Sequence, residues 1–193
     1  MKVRIMVTVV LVVGLLGCAA AGVPYTNEPW KKLAYAFQLM KSEGRALPAE
    51  KLGLQALSDF EKDQNWYGIA EAEYFLGTFY RSPAYRSYED YYSKYNEYDP
   101  TGQKAILHYQ KSIAAFTKDD DYWGVAKSTF EIGITYLRDS DVENACISAN
   151  EALSTYKSDK NIFKGRVHPH NPRFESFDAM IEAFIQDNCH KSI

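Results

Sequence analysis

The sequence lacks the motifs of the common enzyme classes. It has no glycine-rich loop that cradles phosphate, no nucleophile elbow and no HExxH pair of zinc-binding histidines. Its only histidine cluster, His168-Pro169-His170, has no acidic or cysteine ligand at helical spacing, which favours a rigid surface turn over a metal site. The acidic run 119–121 is typical of a solvated helix start. We therefore expect no enzymatic activity, no cofactor and no metal.

The chain also has fewer basic than acidic residues. Lys and Arg number 22 against 25 Asp and Glu, and the net charge of −3 argues against nucleic acid as a partner. The length of 193 residues suits one domain with a real core. Aromatic residues, in contrast, are abundant at 15%, and 15 of them are tyrosines, so the fold must find a place for these rings.

The N-terminus has the pattern of a secretory signal. Lys2 and Arg4 form a positive start, and an apolar run follows from Ile5 to Leu16. The run is too short to span a bilayer as a helix. We therefore exclude residues 1–17 from the predicted fold.

The end of this signal resembles the lipobox of bacterial lipoproteins, with the sequence Leu15-Leu16-Gly17-Cys18. The resemblance implies that Cys18 becomes the lipid-bearing first residue of the mature chain and that residues 18–28 form a short linker. In lipoproteins an alanine after the cysteine, here Ala19, goes with sorting to the outer membrane. The implied location is the periplasmic face of the outer membrane. An ordinary signal peptide with a chance cysteine is the alternative.

One stretch of the chain occurs twice. NWYGIAEAEYFLGTFY begins at Asn65 and DYWGVAKSTFEIGITY begins at Asp121, so matching residues lie 56 positions apart. Apolar residues recur three and four positions apart in each copy, which predicts an amphipathic helix. A second helix type carries a small residue eleven positions before an aromatic one, at Ala49 and Phe60, Ala105 and Phe116, and Ala145 and Tyr156. The pattern predicts that two helix types alternate along the chain.

This alternation resembles the tetratricopeptide repeat. The Leu-Gly-x-x-Tyr of the family's first helix matches Leu76-Gly77-x-x-Tyr80 and Ile132-Gly133-x-x-Tyr136, and a degenerate earlier copy begins at Trp30. The resemblance implies an all-α fold, a short right-handed α-solenoid of helical hairpins over residues 29–160. It implies little about function, because the fold hosts many functions.

Residues 161–193 are predicted to hold a loop and a C-terminal capping helix that begins at Pro172 and covers the apolar end of the last repeat. A partner-binding helix is the alternative. Two further helix starts are predicted, one at Pro100 and one at a capping box formed by Ser140 and Glu143.

If Cys18 carries lipid, Cys146 and Cys189 remain, and an oxidising periplasm favours a disulfide between them over two free thiols.

A tyrosine-rich insertion, predicted at residues 82–100, interrupts the first full repeat. Tyr85, Tyr88, Tyr92 and Tyr95 are spaced 3, 4 and 3 apart, which predicts a stripe on one face of a helix that starts after Pro83. The rings either pack on the repeats or form a recognition surface, because tyrosine is enriched at interfaces.

The family resemblance implies a partner site in the concave groove formed by the first helices. Its residues, counted from the glycine position of each copy, are Tyr35, Gln38, Glu71, Tyr74, Thr78, Arg81, Lys127, Phe130, Ile134 and Arg138. Such a surface suits a peptide with apolar anchors and a carboxylate that an arginine binds. Alternatively, Tyr74 and Phe130 pack against the insertion and close the groove.

The predicted function is that of a non-enzymatic, membrane-anchored scaffold or adaptor. It would bind an unidentified protein partner, as an assembly factor for a secretion, pilus or envelope complex. The alternatives are a regulatory adaptor of a peptidoglycan-processing enzyme and an enzyme without a recognisable motif. We expect neither nucleic acid nor a small-molecule substrate as a ligand.

Overall fold

The computed structural model describes Gly22, residues 25–162 and residues 173–189. Within these residues it holds nine helices and no strand, so the prediction of an all-α fold is confirmed. The helices are α1 Pro29–Ser42, α2 Ala46–Lys62, α3 Trp66–Arg81, α4 Pro83–Arg86, α5 Glu89–Lys94, α6 Gln103–Lys118, α7 Tyr122–Arg138, α8 Val142–Lys157 and α9 Phe177–Asn188. The predicted signal, Cys18, Pro172 and the histidine cluster lie outside the described residues. Among the described helices, none has both the length and the apolarity that a bilayer span requires.

The long helices pack in chain order. Contacts join α1 to α2, α2 to α3, α3 to α6, α6 to α7, α7 to α8 and α8 to α9. Further contacts join α1 to α3 and α3 to α7, so these three helices lie side by side. The two short helices α4 and α5 belong to the insertion, between α3 and α6.

The duplicated sequence produces a duplicated contact. Gly68 in α3 lies against the ring of Phe60, and Gly124 in α7 lies against the ring of Phe116. A Cβ atom at these glycines would come within 2.3 Å and 2.5 Å of the respective rings, so any side chain would collide. The glycines therefore let each helix approach the end of the preceding one closely.

Helix starts are duplicated as well. The side chains of Asn65 and Asp121 each accept a 2.9 Å hydrogen bond from the backbone N–H three residues later, and so cap α3 and α7. The predicted capping box of Ser140 and Glu143 is wrong, because Asp141 caps α8 by accepting from the N–H of Asn144 at 3.1 Å.

The other two predicted helix starts are also corrected. The helix after the insertion begins at Gln103 rather than at Pro100. The carboxylate of Asp99 accepts hydrogen bonds from the backbone N–H groups of Thr101 and Lys104 there, at 2.8 and 2.5 Å, which holds the turn before α6. The last helix begins at Phe177, with Ser176 as its cap, and not at Pro172.

The last helix, α9, covers the apolar end of α7 and α8. Phe177 is fully buried, and its ring contacts those of Trp123, Phe130 and Tyr156 at centroid distances of 5.4 to 6.1 Å. A disulfide joins Cys146 in α8 to Cys189 at the end of α9, with Cα atoms 5.7 Å apart. This helix is thus held both by packing and by a covalent bond.

Candidate partner-binding groove

An open groove of about 540 Å³ lies where α1, α3 and α7 meet. Its wall is formed by Trp30, Leu33, Ala34, Phe37, Lys41, Tyr67, Glu71, Tyr74, Trp123 and Lys127. Five of these ten side chains are aromatic, and the volume is in the range of ligand-binding clefts. We call this site the aromatic groove.

Two large rings in the aromatic groove are accessible to solvent. Trp30 is 44% exposed and Tyr67 is 39% exposed, with ring centroids 5.7 Å apart. The Trp30 ring also packs on Phe60 at 4.7 Å, which fixes its position. Adjacent, ordered and exposed aromatic rings are typical of a surface that a partner covers.

The floor of the groove is a buried ion pair. Lys127 Nζ lies 2.8 Å from Glu71 Oε1, and the lysine side chain is only 5% exposed. The same ammonium lies 4.0 Å from the Tyr74 ring centroid and 5.1 Å from that of Trp123. It therefore makes cation–π interactions with both rings in addition to its ion pair with Glu71. This lysine is therefore fixed in the floor and is compensated within the chain.

A second lysine lies at the edge of the groove. Lys41 is exposed, and its Nζ lies 5.2 Å from the ring centroid of Phe37. Partial burial of the ammonium lowers the pKa of Lys41, while the carboxylate of Glu131 acts in the opposite direction. The charged wall residues are Lys41, Lys127 and Glu71, a net charge of +1 in a chain whose net charge is −3. An acidic ligand group is the complementary one.

The structure brings three of the ten predicted groove residues into the groove: Glu71, Tyr74 and Lys127. Gln38 is exposed and donates a 3.3 Å hydrogen bond to Glu43. The half-buried Tyr35 packs on the main core instead, and Ile134 packs on the cluster around α9.

The two arginines that were expected to bind a partner's carboxylate bind groups of this chain. Arg81 forms an ion pair with Glu131, and the Tyr74 hydroxyl donates to the same carboxylate at 3.0 Å. Burial acts to lower the pKa of Arg81, but Glu131, Tyr109 and Tyr74 together raise it above its usual range. Arg138 donates to the carbonyl of Arg81 at 3.1 Å and pairs with Asp139 at 3.2 Å. Both guanidinium groups therefore have binding partners within this chain, and the arginine clamp for a partner's carboxylate stays a prediction.

Tyr74 and Phe130 are each only 2% exposed, so they are not the open anchors that were expected. The predicted alternative was burial against the insertion, but other elements cover them. The Phe130 ring contacts Phe177 and Phe184 of α9, at 5.8 and 5.2 Å. Tyr74 packs on Tyr109 of α6 at 5.7 Å and forms part of the groove floor.

The insertion forms α4 and α5 rather than one helix, and Pro83 is the first residue of α4. The predicted stripe is wrong: Tyr85 and Tyr92 are buried, Tyr88 is half-buried and Tyr95 is 54% exposed. The buried pair supports the packing interpretation, because such rings add to the core.

An acidic residue that the sequence analysis missed anchors the insertion. Both carboxylate oxygens of Glu50 in α2 accept hydrogen bonds from phenols, from Tyr80 at 2.6 Å and from Tyr92 at 2.7 Å. The Tyr85 hydroxyl accepts from the N–H of Asp99 at 2.8 Å and donates to the carbonyl of Glu97 at 3.0 Å. The Tyr92 bond joins α5 to α2, and the Tyr85 bonds join α4 to the segment that follows α5.

Two further aromatic residues of the groove were also missed. Tyr67 and Trp123 occupy the same place in the two copies of the repeat, 56 positions apart. An aromatic residue repeated near a helix start was a usable signal, because side chains that differ only in ring type face the same way in equivalent helices.

Among the described residues, no group of three or more His, Cys, Asp or Glu could hold a metal ion.

Comparisons with protein families, with curated proteins and with solved structures found no match to this chain.

Proposed function

We propose that this chain is a lipid-anchored periplasmic adaptor, without enzymatic activity, that holds a segment of another protein in the aromatic groove. The proposed architecture is a short solenoid of tetratricopeptide type. Its support is the alternation of two helix types, the contacts of α1 with α3 and of α3 with α7, and the repeated glycine contacts.

The exposed Trp30 and Tyr67 rings, in the same groove as Lys41, are the observation that carries this proposal. Rings of this size supply much contact area at little entropic cost. The net positive wall charge favours an acidic group on the ligand. The proposed occupant is a peptide with an apolar or aromatic anchor for the rings and a carboxylate beside Lys41.

The dimensions of α1 agree with a short peptide. Its 14 residues correspond to about 21 Å of helix, a length that about six residues of extended chain cover. A second open cleft, of about 600 Å³, includes Lys41 and continues past Thr78 to Ser87. Thr78 and Arg81, two more of the predicted groove residues, line this second cleft, and Lys41 lies where it meets the aromatic groove.

Reversing the charge at the groove edge should weaken binding of acidic peptides. We expect Lys41→Glu to weaken the binding of a synthetic peptide with an aromatic anchor and one aspartate by about tenfold, because a charge-assisted contact is lost. The fluorescence of the groove tryptophans reports binding. The same peptide with asparagine in place of aspartate should bind the variant and the parent protein equally.

The matched control is Lys111→Glu, which makes the same change at an exposed position of α6. It should leave the affinity for both peptides unchanged. Equal loss in the two variants would mean that net charge and not the groove drives binding. Failure of any anchor-plus-acid peptide to bind the parent protein would refute the proposed function.

The membrane anchor has a separate test. Cys18→Ser should move the protein from the membrane fraction to soluble or unprocessed fractions, because the charged start, apolar run and Leu-Gly-Cys ending converge on this residue. Cell fractionation and metabolic labelling with a fatty acid measure the result. Unchanged labelling of the variant would contradict the assignment.

A further inference from the structure

A second surface, separate from the aromatic groove, follows α2. Two clefts of about 700 Å³ and 510 Å³ share the side chains of Lys51, Gln55 and Ser58. These residues lie four and three positions apart, on one face of the helix. These shared residues are the exposed crest of α2, so the two clefts lie on either side of it. We call the cleft on the insertion side, lined also by Glu50 and Tyr91, the polar trough.

Two exposed tyrosine rings stand at the polar trough. Tyr91 lines it and is 43% exposed, and Tyr95, the residue that follows α5, is 54% exposed. Their ring centroids are 5.3 Å apart. Burial of Tyr85 and Tyr92 attaches the insertion to the core, but it does not account for two further rings in solvent.

The platform that carries these rings is rigid. Tyr92 stands next to Tyr91 on α5, is 1% exposed and donates to Glu50, which itself lines the trough. The carboxylate of Glu50 is thus fixed by two phenols, yet each of its oxygens has a second acceptor site. Both the rings and the acceptor are pre-positioned for a ligand, which lowers the entropic cost of binding.

The residues that line the trough include hydrogen-bonding groups and charges of both signs. The charged residues are Lys51, Glu50 and Glu97, and Gln55 and Ser58 supply amide and hydroxyl groups. Such a lining suits an uncharged ligand with many hydroxyl groups.

We propose that the polar trough binds an oligosaccharide chain. Sugar rings lie against Tyr91 and Tyr95 through their C–H faces, and their hydroxyl groups bond to Gln55, Ser58 and Glu50. A protein partner is less suited to this surface, because Leu47 and Leu54 are the only aliphatic residues that line the cleft at Tyr91. The trough shares no lining residue with the aromatic groove, so the two ligands can bind together.

Binding of defined glycans to the full chain tests this assignment. The probes are a β-1,4-linked hexamer of N-acetylglucosamine, a β-1,4-linked hexamer of glucose, and insoluble peptidoglycan in a sedimentation assay. Saturation-transfer NMR and calorimetry measure the soluble ligands. We expect Tyr91→Ala and Tyr95→Ala each to weaken binding about tenfold, the loss of one well-packed ring contact.

Two matched variants complete the design. Leu107→Ala removes an exposed apolar side chain from α6, 49% exposed, and should leave glycan binding unchanged. Lys41→Glu should weaken peptide binding and leave glycan binding unchanged, so failure of one site is distinguishable from failure of the other. Binding of the N-acetylated hexamer alone would identify wall-type glycan as the ligand class, and equal binding of both hexamers a general β-glycan.

The proposal is overturned if none of the three glycans binds at millimolar concentration. It is also overturned if the Tyr91→Ala, Tyr95→Ala double variant binds them as the parent does. Crosslinking of a protein to a photoreactive residue at position 95, in the absence of glycan binding, would reassign the surface to a protein partner.

Discussion

Raising the pH from 7 to about 11 is expected to lower the free energy of unfolding by at least about 4 kcal/mol. This lower limit comes from Tyr74, Tyr80 and Tyr109, which are 2%, 6% and 0% exposed, and the buried Tyr85 and Tyr92, whose pKa is also raised, add to it. Burial raises the pKa of each above the ordinary value of 10.0, and the carboxylates of Glu131 and Glu50 raise it further. Stability from a raised pKa is complete below pH 10 and is lost as the pH rises, because the unfolded phenols ionise first.

The size of the effect follows from the number of phenols. At about one pH unit above its ordinary pKa, each phenol that stays protonated in the folded chain costs about 1.4 kcal/mol relative to the unfolded chain. The lower limit of about 4 kcal/mol is a large share of the 5–15 kcal/mol that stabilises most domains. The lowered pKa of Lys41 acts in the opposite direction, but it is a single exposed residue.

Chemical denaturation at several pH values, followed by circular dichroism, measures this loss. Tyr109→Phe should reduce this loss by about 1.4 kcal/mol, because it removes one of the buried phenols. The control is Tyr25→Phe, which removes a phenol that is 89% exposed and should leave the loss as it was. Ionisation of all tyrosines in the folded protein, seen as tyrosinate absorbance without unfolding, would contradict the account.

The regular part of the fold could be predicted from the sequence because its causes are local. Apolar residues three and four positions apart predict the long helices, and the 56-residue offset predicts that Gly68 and Gly124 meet equivalent rings. The pairing of Cys146 with Cys189 followed from their number and from the predicted compartment, and the structure has that disulfide. None of these steps required knowledge of which helices become neighbours.

The groove could be predicted only in part, because its make-up depends on contacts between distant positions. The partner of Arg81 is Glu131, 50 residues further on, and nothing in either segment indicates the pair. Phe130 is covered by α9, which follows a long connection. Helical periodicity places a side chain on a face, but which helix covers that face is a property of the whole chain.

The insertion shows the same limit at short range. Its tyrosine spacing fits one helical stripe, yet the chain turns between α4 and α5, and the Tyr85 hydroxyl bonds to the backbone of residues 97 and 99. Hydrogen bonds between this side chain and the backbone thus stabilise the turn in place of a continued helix.

The second large effect is expected at the other end of the molecule, where the disulfide ties α9 to α8. Cys146 and Cys189 are 43 residues apart, and closing a loop of that length restricts the unfolded chain by about 4 kcal/mol in the chain-entropy account. Replacing both by serine should therefore lower the free energy of unfolding by about that amount. The apolar contacts of Phe177 with Trp123, Phe130 and Tyr156 remain in the variant, so α9 should stay docked at neutral pH but open more often.

Hydrogen exchange locates this loss within the fold. If α9 opens as a unit, its amides should exchange about a thousandfold faster in the Cys146→Ser, Cys189→Ser variant than in the parent, while amides of α1 and α2 keep their rates. A reductant should produce the same change in the parent and none in the variant, which controls for the serine hydroxyls. A loss below about 1 kcal/mol, or two alkylatable thiols at these positions in the native protein, would contradict the covalent tie. Equal acceleration in α1, α2 and α9 would mean that the bond stabilises the whole fold as one cooperative unit, because then no helix opens without the rest.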